Sequence, residues 1–350
     1  MKSVKLIDVS DGAASGHVRR REAEALAVRD ACLGWLPLGG VLARLADPVV
    51  RVWMKRSGTA YAAEIDVVAR TLKKPGIWLL HGAYLFGCTA LGDESEKGPR
   101  LRRTLDWPFP GLGRLVEVRR QRGAGGEFLN VTWPGFVGVL TAVAPGRFAA
   151  SINQAPMRRR WRSSMLLWLD YALNALHGLR GRGRLPPEHL LRQVFEACTS
   201  FDEARRLLES TPVARPVLFL LVGTEPCERI VIEREERSAR TYRDETVFAN
   251  DWRGRSHRWR PRACGDGAPV ENNIRRRTAL AAWTDRDADH FEWVTSPVLN
   301  ACTRLSVEMC PATGALTVAG WEADGQGSAA RVTAITSCHL ERSEASNPSY

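Results

Sequence analysis

The chain switches between two hydrophobic rhythms. Near the N-terminus, "RREAEALAVRDACLGWL" (20–36) and "AYAAEIDVVARTL" (60–72) repeat apolar residues every three to four positions among charges, which predicts helices over 18–35 and 60–73. Between them, "VVRVWMKR" (49–56) is amphipathic and basic, a pattern shared by helices packed on a core and helices lying on a membrane surface. After Pro75-Gly76 the run "PGIWLLHGAYLFGCTAL" (75–91) is dense in apolar side chains and predicts one or two buried elements ending at Cys88.

From 104 the period shortens to two. "RLVEVRRQ" (114–121) alternates, "GAGG" (123–126) turns, and 127–153 holds three short strands separated by "WPG" and "APG", the spacing of an antiparallel meander. Helical periodicity returns over 163–179 and 187–210, with a serine N-cap candidate before the first and Pro187 opening the second. Strands resume at 216–223, 228–235, 238–243 and 246–251. An Arg-, Gly- and Trp-rich loop, a helix starting at Asn272 and a hairpin over 303–321 complete the ordered part. The Gly-, Ser- and Asp-rich remainder, 323–350, is expected to be a flexible tail. Strands, helices, strands and a final helix form the order of two sheets between helical layers, an α+β class.

Composition narrows the function classes. With 350 residues, 44% of them hydrophobic, the chain can bury one large core or two ordinary ones. The net charge of +11 can steer anionic partners, but the arginines are scattered along the chain and no nucleic-acid partner is expected. Eight cysteines stand singly with no CxxC, which excludes a zinc ribbon and a dithiol redox motif; no metal or organic cofactor is expected. The first 25 residues lack an apolar h-region, and no run of eighteen apolar residues occurs, so the expected setting is cytoplasmic with reduced thiols.

Cys88 is the residue whose position asks for chemistry. A thiol nucleophile needs a base, and none of the seven histidines stands in a catalytic motif. A cut between Gly87 and Cys88 would supply another base. The freed α-amine, with an unperturbed pKa of about 7.7–8, would share a residue with the thiol and could take its proton.

The residues around this cysteine also carry a family resemblance. "CTALGDESEKG" followed by "RRTLDW" (88–107) resembles the start of the mature chain in the acid ceramidase and N-acylethanolamine acid amidase group of cysteine N-terminal nucleophile (Ntn) hydrolases, relatives of the choloylglycine hydrolases. Four further segments keep the family's order: "WPGFVGVLTAVAPGRFAASIN" (133–153), "ANDW" (249–252), "IRRRTAL" (274–280) and "TSPVLNACT" (295–303). The resemblance implies a four-layer αββα sandwich. It divides the chain into a helical pro-segment, 1–87, a catalytic domain, 88–322, and the tail.

It also implies roles. Cys88 would be nucleophile and, through its amine, base. Arg103 would lie beside the thiol, and Asp106 would hold the amine. Asn250 would offer a side-chain N–H to an oxyanion, and Arg276 would be the late arginine, with Arg275 or Arg277 taking its place on a slip of register. Asn153 and Gln154 would contact substrate, a linear N-acyl amide. The two halves of the cut chain would stay associated, and a lipid surface is a compatible contact. Bland alternatives stand beside each role: a surface ion pair for Arg103 and Asp106, turn residues for Asn250-Asp251, a solvated helix face for 275–277.

Three departures qualify the resemblance. Gln154 replaces the glutamate of the ceramidase-like enzymes, "MRRRWR" (157–162) is unusually basic, and the stretch from Asn250 to Arg276 is longer than in the lysosomal enzymes. Two other classes therefore compete: an Ntn-fold scaffold without activity and, on net charge and twelve tryptophans alone, a nucleic-acid-binding protein.

Overall fold

Alternating apolar positions turn one face of each strand toward a partner sheet, and two such sheets carry the molecule. The computed structural model describes residues 1–10, 14–34, 38–82, 87–161, 163–244, 246–254, 258–263, 267–284 and 290–340. In chain order the strands are β1 (Lys5–Asp8), β2 (Gly87–Ser95), β3 (Gly98–Asp106), β4 (Glu117–Gly123), β5 (Gly126–Thr132), β6 (Thr141–Ala144), β7 (Phe148–Gln154) and β8 (Met157–Arg158). They continue with β9 (Val217–Val222), β10 (Arg229–Arg234), β11 (Ala239–Tyr242), β12 (Val247–Phe248), β13 (Trp259–Arg260), β14 (Thr303–Cys310), β15 (Ala315–Ala323), β16 (Ala329–Arg331) and β17 (Thr336–His339). The helices are α1 (Ala14–Arg20), α2 (Glu22–Gly34), α3 (Gly39–Arg56), α4 (Ala62–Leu72), α5 (Ile77–Gly82), α6 (Leu167–Leu179), α7 (Pro187–Ala197), α8 (Phe201–Ser210) and α9 (Pro269–Ala282).

The first sheet runs β1-β4-β5-β6-β7-β9-β10-β11, the second β12-β2-β3-β14-β15-β16 with β17 also on β15. Strands β2 and β3 pack face to face on β7 and β9. At Gly92 the approach is so close that a Cβ would meet Leu220 Cδ1 at 3.2 Å. Helices α7 and α8 cover the outer face of the first sheet, and α9 lies on β2 and β12 of the second. The result is the four-layer αββα arrangement that the resemblance implies. Strand β9, VLFLLV, is buried at every position because helices cover one face and the second sheet the other.

The periodic stretch 187–210 is two helices rather than one. Cys198 is extended, and Ser200 caps α8 by accepting the Glu203 N–H, while the Glu203 carboxylate accepts from Thr199 N at 2.8 Å. The signal was S-x-x-E (200–203), a capping box inside a run that otherwise keeps helical period.

The segment before Cys88 is not a detached helical body. Helices α1 to α5 build a core around Trp53, Met54, Ile65 and Trp78, but β1 pairs in parallel with β4 and forms the edge of the first sheet. Lys2 O accepts from Ala334 N at 3.0 Å, and Val4 N donates to Thr336 Oγ1 at 2.9 Å. Glu117 of β4, fully buried, receives His17 Nε2 at 3.2 Å, Arg21 Nε at 3.3 Å and Arg119 Nε at 2.8 Å. The first two of those donors come from the N-terminal segment.

The tail is corrected in part. Residues 329–331 and 336–339 form β16 and β17 on β15, with Cys338 buried opposite Leu316. The short alternation "TSCH" was hidden by the polar stretch before it; residues 341–350 lie outside the described residues. In the long segment after Asn250, Trp259–Arg260 pairs with Met157–Arg158 as a two-stranded ribbon, while 255–257, 264–266 and Arg162 of the basic run lie outside the described residues.

Candidate active site

Cys88 is the second residue of β2, not the end of an apolar element. The alternation of β2 sends Cys88 and Ala90 into the core between the sheets, and Leu91 toward the layer containing α9. In β3, Leu101 and Leu105 face the inter-sheet core. Arg103 shares their face, whereas Asp106 lies on the other. The two residues are therefore not a surface ion pair: they point to opposite sides of one sheet and are 0% and 1% exposed.

The hairpin register pairs Cys88 with Leu105 and Ala90 with Arg103, so Arg103 is the diagonal neighbour of the thiol. Its Nη2 donates to Cys88 Sγ at 2.9 Å and to Ile152 O at 2.6 Å. Its Nη1 donates to Leu140 O at 2.7 Å and to Thr141 Oγ1. Four acceptors thus fix one guanidinium against the sulfur.

Asn250 arrives by strand register. Val247 pairs with Leu91 and Phe248 with Ala90, and the same register continued by two residues puts Asn250 opposite Cys88. The backbone ladder stops at Phe248, and the side chain takes over: Asn250 Oδ1 accepts the Cys88 N–H at 2.8 Å. Arg276 Nη2 donates to the same oxygen at 3.2 Å. Two donors face it, which fixes the orientation of the amide. The other end, Nδ2, donates to Gln154 O at 2.9 Å. One of the two N–H groups on the nitrogen that the resemblance assigns to an oxyanion is thus engaged by a backbone carbonyl.

Helix α9 turns Asn272, Asn273, Arg276 and Leu280 inward, positions spaced by three and four. Arg276 Nη1 donates to Cys88 O at 2.7 Å and to Thr89 Oγ1 at 2.8 Å. Asn272 Oδ1 and Asn273 Oδ1, both 2.9 Å away, accept from the rest of the guanidinium. Arg275 is exposed and Arg277 pairs with Asp251 at 3.0 Å, so Arg276 alone of the three reaches the cysteine. Asp106 Oδ2 lies 3.8 Å from Arg276 Nη1, and its Oδ1 accepts from Thr303 Oγ1 at 2.9 Å. Asn153 is buried and donates to Ala249 O at 2.9 Å. It braces the turn that carries Asn250. Gln154 reaches the site through its backbone carbonyl, which Asn250 holds.

Of the residues singled out in the sequence, Arg103, Asn250 and Arg276 bond Cys88 directly, Asp106, Asn153 and Gln154 stand one residue further out, and Arg275 and Arg277 do not reach it. Sequence reasoning missed Asn272, Asn273, Thr89, Thr141 and Thr303. The pair of asparagines carried a usable signal, standing four and three residues before Arg276 on one helix face.

Burial pushes the Cys88 thiol up to about 11, against the pull of the Arg103 guanidinium, which acts by charge and by hydrogen bond. Asp106 adds to the rise and Arg276 opposes it. In the uncut chain the resting sulfur is a thiol. Its amide nitrogen, carbonyl oxygen and sulfur are each held by a different buried side chain. Opening the 87–88 peptide would leave an amine on Asn250 Oδ1, within one residue of its own sulfur.

No family model matches the chain. It is 30% identical over 150 residues to the N-acylethanolamine-hydrolyzing acid amidase of Oryctolagus cuniculus, covering 42% of this chain and 38% of the relative. It is 30% identical over 171 residues to the acid ceramidase of Mus musculus, covering 43% of this chain and 40% of the relative. The match thus spans about two-fifths of the length of these curated relatives. Among solved structures, a Caenorhabditis elegans ortholog of N-acylethanolamine-hydrolyzing acid amidase aligns with a TM-score of 0.48 and 20% identity, covering 64% of this chain and 93% of that one. The chain is thus similar, over about two-fifths of its length, to curated proteins named N-acylethanolamine-hydrolyzing acid amidase and acid ceramidase.

Proposed function

We propose that the protein is a self-processed cysteine amidohydrolase that cleaves the C–N bond of linear N-acyl amides. The observation that carries this reading is the threefold grip on Cys88: Asn250 on its nitrogen, Arg276 on its carbonyl, Arg103 on its sulfur. A cysteine that merely fills a core has no use for three buried polar partners, each of which costs desolvation.

In the first step Sγ attacks the Gly87 carbonyl carbon. The thiol proton passes to the Cys88 nitrogen as the C–N bond breaks, leaving Gly87 as a thioester on Sγ. Water hydrolyses the thioester, releasing the Gly87 carboxylate and restoring the thiol. Glycine at 87 leaves the carbonyl open to attack. Asp106, paired with Gly87 across the hairpin, flanks the bond that breaks.

In the mature chain the α-amine sits on Asn250 Oδ1, with Asp106 nearby, and accepts the thiol proton. The thiolate, favoured by Arg103, attacks the substrate carbonyl, and the amine returns its proton to the leaving nitrogen. Water then releases the acid from the S-acyl enzyme. The relatives' names support N-acylethanolamines and ceramides as candidates, and N-acyl amino acids complete the class. Incubation of the processed protein with one amide of each kind should release fatty acid and, on quenching, show an acyl adduct on the Cys88 peptide. Absence of both acid and adduct for all three would contradict the reading.

The strand pairing of β1 and the Glu117 cluster support continued association of the two halves after the cut. Contact with a lipid surface is supported by α3 and α6. On α3, Leu42, Leu45, Val49 and Val52 are 47%, 70%, 53% and 48% exposed beside Arg44, Arg51 and Lys55. Trp168 of α6 is 65% exposed, and the two helices meet where Trp53 Nε1 donates to Gly178 O. No single helix among the described residues is long and apolar enough to cross a membrane. Leu45→Asp should weaken sedimentation with phosphatidylserine vesicles; unchanged sedimentation would remove the lipid contact.

A further inference from the structure

Two buried histidines outside the site grip one residue. His81, near the end of α5, donates from Nδ1 to Ile77 O at 2.7 Å, which leaves Nε2 as an acceptor. That nitrogen receives the Val137 N–H at 3.0 Å, and the ring stacks on Phe136 with centroids 5.6 Å apart. The Val137 carbonyl accepts from His189 Nε2 at 3.2 Å, and His189 Nδ1 accepts from Thr59 Oγ1 at 2.9 Å. His81 and Thr59 belong to the segment before the 87–88 bond; Val137 and His189 belong to the chain after it.

The gripped residue opens a short stretch that ends on the catalytic arginine. Gly138 O accepts from Asn130 Nδ2 at 3.1 Å, and Val139 N donates to Glu188 O at 3.0 Å. Leu140 O accepts from both Ile152 N at 2.9 Å and Arg103 Nη1 at 2.7 Å, and Thr141 Oγ1 accepts from the same Nη1. Each residue from 137 to 141 is thus tied at a polar atom, with little slack between His81 and the guanidinium on Cys88 Sγ.

We propose that His81 is a positioning residue for the Cys88 thiol, acting through the 137–141 stretch on Arg103. The N-terminal segment then supplies part of the active centre's support rather than serving only to be cut away. The inference rests on Arg103 acting on the thiol as set out above, and its test needs neither self-cleavage nor an amide substrate. Failure of the hydrolase reading and failure of this inference are therefore distinguishable.

The test is the pH titration of the Cys88 Cβ resonance in protein carbon-13-labelled at cysteine, assigned by its loss in Cys88→Ala and needing no reagent to reach the buried sulfur, with exposed Cys227 as internal control. His81→Ala should move the Cys88 profile to higher pH and lower the thiolate fraction about tenfold at fixed pH, the size of a one-unit rise in thiol pKa, with Cys227 unmoved. His81→Gln, which keeps an acceptor, should restore most of it. His81→Leu fills the space without an acceptor and carries the same expectation as alanine, covering the case in which the alanine variant does not fold. Thr141→Val should shift the profile in the same direction, and the double variant with His81→Leu should shift it by less than the sum. A Cys88 profile within twofold of wild type in His81→Leu, or additive shifts in the double variant, would overturn the proposal.

Discussion

Cys32 and Cys88 are both buried thiols, and their surroundings separate packing from chemistry. Cys32, on α2, is 6% exposed and is pushed up to about 12 by burial alone. Cys88 is 0% exposed and is also pushed up by burial, to about 11, but there Arg103 and Arg276 work against the desolvation. Burial therefore says little about which cysteine reacts; the polar groups that the fold keeps beside it say more.

The largest effect expected from this contrast is qualitative. Cys88→Ala should abolish cleavage at the 87–88 bond, whereas Cys32→Ala should leave the cut and its rate intact, as read by gel electrophoresis over time. Next is Arg103→Met, which removes the charge beside Sγ and takes one donor each from Leu140 O, which keeps Ile152 N, and from Ile152 O. The processing rate should fall about 10²-fold, the range for loss of one preorganised donor. A rate within threefold of wild type would return Cys88 to the same category as Cys32. Asn250→Ala should act through the amine, lowering turnover of the mature enzyme by about 10²-fold, as expected for a misplaced general base. Turnover that survives at near wild-type level would free Asn250 from that role.

A smaller effect concerns the seam between the two regions. Burial pushes His81 down to about 4 from the ordinary 6.5 and holds His189 well below it. The folded state therefore binds fewer protons than the unfolded one. The stability these groups confer is complete above pH 6.5 and declines as pH falls from there toward 4. For His81 the span corresponds to on the order of 3 kcal/mol. Urea denaturation at pH 7, 5.5 and 4.5 should show the decline, and His81→Gln should flatten part of it. A midpoint independent of pH would contradict the neutral-histidine seam. Smallest of all, Cys32→Ala should cost roughly 1 kcal/mol of unfolding free energy, the cost of a small void where α2 packs on the main core.

What the sequence made legible follows from what local pattern can encode. Period-two alternation marked the strands from 114 to 153 because each has one face against a covered core, and order among five motifs marked Cys88, Arg103, Asp106, Asn250 and Arg276. Motif order favoured Arg276 but left Arg275 and Arg277 open to a slip of register; which of the three reaches Cys88 depends on which face of α9 lies on β2, a tertiary fact. Strand β2 was masked because Gly87, Ala90 and Gly92 dilute its β-signal; Gly92 is small where the sheets nearly touch. The role of Asn250 also changed character. Sequence order placed it at the site, but only the register with β2 turns its oxygen, not its N–H, toward the Cys88 nitrogen. Strands β16 and β17 were lost to composition, since polar residues around 324–328 suggested a tail where β15 still had an edge to pair.

The most direct measurement is the intact mass of the purified protein beside its Cys88→Ala variant, each incubated from acidic to neutral pH. Self-processing at this cysteine predicts two fragments meeting at Gly87 and Cys88 in the wild type, co-eluting on size exclusion, and a single uncut chain in the variant. A wild-type chain that stays whole across the range, or fragments that also appear in the variant, would contradict it.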